Sequence, residues 1–412
     1  YQDMNKPTQF ELNMEDGTHA EIVLQKNSNY SCPVYCEANH VHIAVSCDEN
    51  CKTNHKNYHL HNVTEIDAGF ATFCSKKIIA MNKISAKKFA LNSGLPIVPG
   101  SDDAVSSNPH EQADKIGYPL IIKAASGGGG RGMRIVHSKE DLEHSIELTQ
   151  QEAGTAFGDS TVYMEKFLLT PRHIEVQVLA DKHGNFLHLG DRDCSMQRRH
   201  QKVIEEAPAY NIPNDEREGI FNKCIAACKE LDYESAGTFE FLYENGDFFF
   251  IEMNTRIQVE HPVTESVTGL DLVKLQLRIA RGEELKIKQS DVVIQGHAIE
   301  CRINAENSDT FMPSPGKVVD YHAPGGIGVR IDSHLYSDYV VPPHYDSLIA
   351  KVICRANDRE DARARLERAL EEMYISGIDT NLDMHRKLVK DPNFINGGVD
   401  INYLENKFRE EG

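Results

Sequence analysis

Three residues with oxygen-bearing side chains, Glu240, Glu252 and Asn254, lie close together in a segment rich in phenylalanine. Carboxylate and amide oxygens are hard ligands that suit Mg²⁺ or Mn²⁺ held together with nucleotide phosphates. Acidic residues on a solvated strand are the ordinary alternative, but they are not expected among so many aromatic neighbours. The residue types therefore favour a divalent metal site that serves a nucleotide.

Further polar residues follow these three at two-residue spacing. Arg256, Gln258 and Glu260 offer a cation, an amide and a carboxylate. If strand alternation continues through them, an anion bound there would lie beside the metal and could be deprotonated by a carboxylate. A second region, Arg192–Lys202, concentrates basic residues in an acidic protein, and an ordinary basic surface patch would explain it equally well.

A run of glycines, Gly127–Gly130, separates two predicted strands, Tyr118–Lys123 and Met133–Val136. Without side chains, the backbone amides of such a loop can surround phosphate oxygens. The run is not a P-loop, because no Gly-Lys-Ser/Thr follows, and it is not a dinucleotide fingerprint, because it leads into a strand. Two interpretations remain: a mobile loop over a nucleotide, and a glycine-rich hairpin without a ligand.

The metal site depends on a predicted hairpin over residues 238–254, which turns at Asn245-Gly246. A two-residue turn would place Glu240 and Glu252 on opposite faces. A three-residue turn, which begins one residue earlier and contains a glycine bulge, would place both on one face. The proposed metal site requires the second arrangement.

Another predicted strand carries its polar residues on one side. His173, Glu175 and Gln177 alternate with the apolar residues Ile174 and Val176. This period of two predicts a half-buried strand in a larger lobe that begins near residue 169.

The overall composition is that of a folded globular protein. The chain has 412 residues, 40% of them hydrophobic, and a net charge of -19 from 44 basic and 63 acidic residues. This charge argues against a general binder of nucleic acid or of anionic membranes, and no apolar run is long enough to span a bilayer. No secretory signal is evident, so we expect a cytoplasmic protein, or one of an organelle matrix or stroma if a presequence was removed.

Residues 1–82 contain only weak strand patterns, and no motif in them indicates a function. Two cysteine pairs, Cys32/Cys36 and Cys47/Cys51, lie among histidines, so a tetrahedral zinc site is conceivable. Reduced thiols and surface histidines are favoured instead, because the pairs lack the commonest two-residue gap.

From about Lys83 to its end, the chain resembles biotin carboxylase, an ATP-grasp enzyme. This region is about four-fifths of the sequence. The segments that carry the resemblance are Tyr163–Lys166, Arg192–Lys202, Glu252–Glu265, Glu300–Glu306 and Pro313–Lys317. The long segment that ends in His261-Pro262-Val263-Thr264-Glu265 and the segment around Arg302 favour the biotin-dependent carboxylases over other ATP-grasp ligases.

The resemblance implies an α/β (α+β) architecture. Its parts would be an ATP-grasp fold with a mobile glycine-rich lid subdomain and a C-terminal biotin carboxylase lobe. The expected domains are an atypical N-terminal region at 1–82, the lid with a linker at 83–168, and the catalytic and C-terminal lobe at 169–412. The first 66 residues lack the usual motifs of the family's doubly wound N-terminal domain, of which they would be a degenerate form.

The resemblance also implies a reaction: ATP phosphorylates bicarbonate to carboxyphosphate, which delivers carbon dioxide to N1 of biotin. Glu240, Glu252 and Asn254 would match the metal ligands. The residues matching nucleotide-contacting positions are Lys83, Lys123, Gly128, Gly129, Gly130, Glu165, Lys166, Leu168, His173, Gln197, His200 and Leu242. The residues matching bicarbonate and catalytic positions are Arg256, Gln258 and Val259 for bicarbonate, with Arg256 also catalytic, Glu260 as the base, Lys202 for carboxyphosphate and Arg302 for the biotin enolate.

The implied substrates and cofactors are ATP, Mg²⁺ or Mn²⁺, and biotin on a carrier protein. We expect a biotin carboxyl carrier protein and carboxyltransferase subunits as partners, a homodimer, and a role in acetyl-CoA carboxylase or a related carboxylase. No biotin-accepting Met-Lys-Met motif is present, which favours a separate carrier. Two alternatives remain: another ATP-grasp ligase, such as a carbamoyl-phosphate-forming enzyme, and a non-catalytic nucleotide-binding module.

Overall fold

The structure, a computed structural model, describes most of the chain beyond residue 88. The described residues are 8–13, 19–24, 44–46, 89–101, 104–105, 108–126 and 132–411. The predicted zinc ligands among the N-terminal cysteines, the nucleotide contact Lys83, and Gly128, Gly129 and Gly130 of the predicted lid lie outside these residues.

The chain divides into two units. Unit 1, Tyr1–His61 with Pro342–Asp346, contains strands β1 (Thr8–Asn13), β2 (His19–Leu24) and β3 (Ala44–Ser46). These pair antiparallel in the order β1-β2-β3, unlike the parallel strands of a doubly wound domain. Unit 2 comprises Asn62–Val341 and Ser347–Gly412.

Unit 2 is a mixed α/β structure with antiparallel sheets. Its strands are β4 (Leu120–Ala124), β5 (Met133–Val136), β6 (Val162–Lys166), β7 (Arg172–Ala180), β8 (Phe186–Arg198), β9 (Gln201–Ala207), β10 (Ser235–Glu244), β11 (Asp247–Asn254), β12 (His297–Asn304), β13 (Gly316–Lys317), β14 (Tyr321–His322), β15 (Val329–Ser333), β16 (Val340–Val341), β17 (Leu348–Ala356) and β18 (Tyr374–Ile375). Its helices are α1 (Pro109–Ile116), α2 (Leu142–Phe157), α3 (Asn214–Leu231), α4 (His261–Thr268), α5 (Leu272–Ala280), α6 (Arg359–Glu372), α7 (Leu382–Leu388), α8 (Pro392–Asn396) and α9 (Tyr403–Glu411). Over the described residues, no helix has the length and apolar character needed to cross a membrane.

One large sheet organises the unit. Its eight strands follow the order β11-β10-β7-β8-β9-β12-β17-β15. Helix α3 packs beside β7 and β8 over one apolar core, and α6 packs against β12 and β17 over another. A separate sheet, β5-β4-β6, has its own core with α1 and α2 and contains the strands on either side of the predicted glycine lid.

Strand β7 differs from the prediction of a half-buried strand, because every one of its residues is buried. Ile174 and Val176 belong to the apolar core under α3. His173, Glu175 and Gln177 occupy the other face and are also buried, among further charged and polar side chains. The predicted alternation of polar and apolar residues is confirmed, but the polar face lies inside the protein.

The hairpin of β10 and β11 brings Glu240 and Glu252 to one face by a different route from the one required above. Its turn is the two-residue Asn245-Gly246, with φ of 55° and 90°, so the three-residue turn is wrong. A bulge at Ile251 shifts the register by one residue, and Glu240 lies directly opposite Glu252. The extra residue within β11 restores the shared face that the short turn alone would have removed.

Candidate functional site

Lys202 lies at the centre of a buried cluster of carboxylates. Its Nζ donates to Glu175, to Glu260 at 2.7 Å and to Glu240 at 3.2 Å. Burial alone would lower the pKa of Lys202, but these carboxylates outweigh burial and raise it well above its usual value. Lys202 therefore carries a fixed positive charge whose partners come from strands β7 and β10 and from the start of α4.

The carboxylates of the cluster are ionised. Burial would raise the pKa of Glu175, Glu240 and Glu260, but Lys202 and the other nearby cations hold all three below the ordinary value. His173 Nε2 lies 3.1 Å from Glu240 and 3.4 Å from Glu175. Burial opposes protonation of His173, yet the carboxylates raise its pKa to about 9. The cluster thus consists of alternating full charges in a site shielded from water.

Arg192 is fully buried beside this cluster, so it does not belong to the basic surface patch that was one interpretation of the sequence. Its guanidinium donates to Glu175, Gln177, Thr238, Gln258 and Thr264. A planar guanidinium suits such a network, because its five N–H groups point in fixed directions. Arg192 therefore ties β7, β10, the loop after β11 and helix α4 to one another.

Arg302 on β12 forms the second cationic side of the site. Its Nε lies 2.5 Å from Glu205, and its Nη2 lies 2.8 Å from Glu260. Burial would lower the pKa of Arg302, but Glu205 and Glu260 raise it. Glu260 therefore receives hydrogen bonds from Lys202 on one oxygen and from Arg302 on the other.

The three predicted metal ligands converge. Glu240 lies opposite Glu252, and the Asn254 amide nitrogen lies 2.8 Å from Glu240 and 3.3 Å from Glu252. Rotation of the amide by half a turn would present its oxygen to the same point. Two carboxylates and an amide oxygen at one place form a hard, anionic ligand set, so these residues fit Mg²⁺ or Mn²⁺.

The residues after Asn254 do not continue the strand, so the predicted alternation through Arg256, Gln258 and Glu260 is wrong. Strand β11 ends at Asn254, and an irregular loop leads to Glu260, the N-cap residue of α4. Gln258 and Glu260 are buried, whereas Arg256 is exposed and donates to the carbonyl of Ile257. Thus the loop, and not a strand face, brings two of the three residues into the cluster.

Gln258 and Val259, which are predicted to contact bicarbonate, lie in this loop. Gln258 Nε2 donates to Glu240 at 2.6 Å, while its Oε1 accepts from Arg192. The carbonyl of Val259 accepts from Lys351 of β17 at 2.7 Å. Side chains from both ends of the large sheet therefore fix the conformation of the loop.

Two groups of predicted nucleotide contacts lie on the β5-β4-β6 sheet and at its exit. Lys123 of β4 lies 2.6 Å from Glu165 of β6. Lys166 donates to the carbonyl of Tyr118 at 3.1 Å, and Leu168 is buried in the segment that leads to β7. Lys123 and Glu165 thus form one charged pair on adjacent strands.

The other predicted nucleotide contacts lie on the large sheet. Leu242 is paired with His173 across β10 and β7, and Gln197 Nε2 lies 3.5 Å from His173 Nδ1. His200 is exposed at the tip of the β8–β9 turn, where Arg199 and His200 both have positive φ. This turn places His200 two residues before Lys202, while its side chain points to solvent.

Sequence reasoning assigned no chemical role to Glu175, Arg192 or Glu205. Glu175 lies in the polar alternation of β7 and Arg192 in the basic segment, so both signals are visible in the sequence, but neither reveals that the side chain is buried. Glu205 had no signal of its own, because its importance lies in pairing with β12. Only the strand order shows that these three residues surround the cluster.

Comparison with known proteins agrees with this site. Residues 82–288 match the family described as "Carbamoyl-phosphate synthase L chain, ATP binding domain", and residues 300–406 match "Biotin carboxylase C-terminal domain". The chain is 60% identical to the biotin carboxylase of Pseudomonas aeruginosa over 329 residues, which is 79% of this chain and 73% of that protein.

Comparison with solved structures also finds biotin carboxylases. A biotin carboxylase from Campylobacter jejuni in complex with β,γ-ATP has a TM-score of 0.76 and 50% identity, over 79% of this chain and 73% of that one. The biotin carboxylase domain dimer of a 2-oxoglutarate carboxylase from Hydrogenobacter thermophilus, in complex with MgADP, ADP and bicarbonate, has a TM-score of 0.74 and 46% identity, over the same two shares. The chain belongs to the biotin carboxylase family.

Proposed function

We propose that this chain catalyses the ATP-dependent carboxylation of biotin, with bicarbonate as the carbon source and carboxyphosphate as the intermediate. The observation that carries the proposal is the row Lys202–Glu260–Arg302, in which one buried carboxylate is bonded to two fixed cations beside three oxygen ligands. A base, an anion holder and an oxyanion partner are the three groups that the two steps require.

The first step activates bicarbonate. Lys123 would contact the ATP phosphates, with Glu165, Lys166 and Leu168 on the same side of the nucleotide. The residues on the large sheet proposed to contact the nucleotide are His173, Gln197, His200 and Leu242. Glu240, Glu252 and Asn254 would hold Mg²⁺ or Mn²⁺, which neutralises phosphate charge when bound.

Glu260 is the proposed base. Burial would raise its pKa, but Lys202, Arg302 and Arg192 hold the pKa below the ordinary value, so the carboxylate is ionised near neutrality, as a base must be. Arg256, Gln258 and Val259 are the proposed bicarbonate contacts. Bicarbonate would give its proton to Glu260 and attack the γ-phosphoryl group of ATP, with ADP as the leaving group, and Lys202 would hold the resulting carboxyphosphate.

In the second step, carboxyphosphate would break down to carbon dioxide and phosphate, and the phosphate would accept the N1 proton of biotin. Arg302 would stabilise the resulting biotin enolate, whose N1 then bonds to the carbon dioxide. A permanent cation, fixed by Glu205 and Glu260, needs little reorganisation when negative charge develops on the ureido oxygen. Glu260 lies between Lys202 and Arg302, so carboxyphosphate at Lys202 and biotin at Arg302 would lie on either side of the Glu260 carboxylate.

The reaction implies a biotin carrier protein as partner. We further propose carboxyltransferase subunits and a homodimer as its context, for which the dimeric domain from Hydrogenobacter thermophilus is a precedent. We retain the division into 1–82, a lid with linker at 83–168 and a catalytic lobe at 169–412. The separate core of the β5-β4-β6 sheet supports a lid distinct from the large sheet.

The test is ATP cleavage by the full chain with and without bicarbonate and free biotin. Cleavage should require bicarbonate, rise on addition of biotin, and yield carboxybiotin from labelled bicarbonate. Ammonium in place of biotin is the matched control, because a carbamoyl-phosphate-forming enzyme would use it. Cleavage that is indifferent to bicarbonate, or stimulated by ammonium and not by biotin, would contradict the proposal.

A further inference from the structure

Two buried glutamates beside Arg302 have carboxyl oxygens that lack partners. Glu205 on β9 and Glu300 on β12 both have 0% exposure. One oxygen of Glu205 accepts from Arg302, but Glu205 Oε2 and both oxygens of Glu300 have no hydrogen-bond partner among the described residues. A buried carboxylate without partners is costly, so these oxygens require a physical explanation.

The register of the sheet brings the two carboxyl groups together. Glu205 and Glu300 are directly paired across the antiparallel strands β9 and β12. Side chains at such positions share a face, with Cβ atoms about 4.5 to 5.5 Å apart, so two carboxyl groups can reach each other. Arg302 lies two residues beyond Glu300 and therefore on the same face.

Burial and the repulsion between the two carboxylates disfavour ionisation of both at this place, although cations lie nearby. The titratable groups that influence the pair electrostatically are Lys202 of β9, Glu260 at the start of α4, Arg302 of β12, Lys351 of β17, and the thiols of Cys194 and Cys301. Burial raises the pKa of both thiols, which are neutral. Burial likewise raises the pKa of Glu205 to about 7 and that of Glu300 well above its usual value, against the opposing effect of Arg302.

We propose that Glu205 and Glu300 share one proton, with Glu300 donating to Glu205 Oε2, and that this acid pair positions Arg302 for the biotin step. The pair would then carry a single negative charge. Glu205 keeps an ionised oxygen on Arg302 Nε, while neutral Glu300 adds no second charge to hold the guanidinium back from an incoming enolate. Both are positioning residues, since they act through Arg302, and the inference rests on the proposed function.

The shared proton can be detected without turnover. Infrared difference spectra of wild type minus Glu300→Gln at neutral pH should contain the carbonyl band of a protonated carboxylic acid. Glutamine is neutral, nearly isosteric and still able to donate to Glu205. A difference spectrum with only ionised carboxylate bands would overturn the shared proton, whatever reaction the chain catalyses.

A second measurement of the proton uses stability. Above pH 4.5, the ordinary value for glutamate, the unfolded chain releases a proton that folded Glu300 retains. As the pH increases above 4.5, the unfolding equilibrium constant of the wild type should therefore rise relative to that of Glu300→Gln, by up to about tenfold per pH unit. Parallel curves for the two proteins would contradict a proton held by Glu300.

The positioning role is tested with Glu205→Gln. The ratio of biotin carboxylation to bicarbonate-dependent ATP cleavage should fall on the order of tenfold or more, because the enolate that Arg302 stabilises forms only in the biotin step. Glu206→Gln is the matched control. Glu206 is the next residue of β9, is buried, and accepts from Arg359 at 2.6 Å outside the site. Its loss should lower stability but leave the ratio unchanged.

An unchanged ratio in Glu205→Gln, or the same fall in Glu206→Gln, would overturn the positioning role. If Glu205→Gln does not fold, Glu205→Asp replaces it, because it keeps the charge but shortens the reach to Arg302. Its ratio should fall less than that of Arg302→Ala, and a wild-type ratio would overturn the role. A wild type without bicarbonate-dependent ATP cleavage would instead refute the proposed function, while the infrared result would stand.

Discussion

Replacing Arg302 by alanine should separate the two steps of the reaction. Arg302 lies 2.5 Å from Glu205 and 2.8 Å from Glu260, whereas Glu240 and Glu252, the proposed metal ligands, lie on the β10–β11 hairpin. Loss of one preorganised partner of a developing oxyanion costs about a hundredfold or more in rate. Carboxylation of biotin should fall by at least that factor, and bicarbonate-dependent ATP cleavage should be retained far better.

The same substitution should destabilise the fold by an amount that can be anticipated. Glu205 and Glu260 are 0% and 1% exposed, so removal of Arg302 leaves two buried carboxylates without one of their cations. Breaking a buried ion pair from one side costs about 3 to 5 kcal/mol. Assays therefore need a temperature at which denaturant titration shows the variant to be fully folded.

Arg359→Ala is the control for this destabilisation. Arg359 is 8% exposed and pairs with Glu206 at 2.6 Å, away from the Lys202 cluster. It should lose comparable stability without changing the ratio of carboxylation to cleavage. Biotin carboxylation by Arg302→Ala at the wild-type rate would refute the enolate assignment. An equal loss of both activities would instead indicate that Arg302 positions bicarbonate.

Three further results are expected. Glu252→Gln should fold normally but need more Mg²⁺ for half-maximal ATP cleavage, since one charged oxygen is lost; an unchanged Mg²⁺ dependence would count against the metal role. Glu260→Ala should suppress both cleavage and carboxylation because bicarbonate is no longer deprotonated, and selective loss of carboxylation would contradict this. Burial lowers the pKa of His385 to about 4, so its unfolded form binds a proton first as pH falls from 6.5. In denaturant titrations, the free energy of unfolding of the wild type should then fall by up to about 3 kcal/mol more than that of His385→Gln by pH 4. Equal losses in the two proteins would show that His385 does not cause this pH dependence.

Local patterns in the sequence predicted the elements of the site better than their surroundings. The β10–β11 hairpin and the alternation of β7 follow from period two and from Asn245-Gly246. The bulge at Ile251 does not, because a bulge depends on how two strands pair and not on one residue type. The predicted metal ligands Glu240 and Glu252 therefore share one face, but through a bulge and not through the three-residue turn expected from the sequence.

Burial was the property that the sequence could not supply. Arg192 is a charged residue in a basic segment, and nothing local distinguishes it from a surface arginine. Its complete burial follows from the partners that β7, β10 and α4 bring from distant parts of the chain. The same holds for Glu205 and Glu300, which become neighbours only through the order β9-β12. Spacing and resemblance to a family single out Glu260, and resemblance alone singles out Arg302, but neither predicts the network that fixes them.

The contacts of Lys202 suggest how substrate binding is coupled to the metal site. An ammonium group has three donors, and Glu175, Glu240 and Glu260 occupy all three. Lys202 can hold carboxyphosphate only if it releases one of these partners. Glu240 is the most distant of them, at 3.2 Å, and it is also a proposed metal ligand. A cation bound at Glu240 would take over that carboxylate and leave one Lys202 donor for the anion. Binding of the metal nucleotide would therefore prepare Lys202 for the intermediate that the same nucleotide produces.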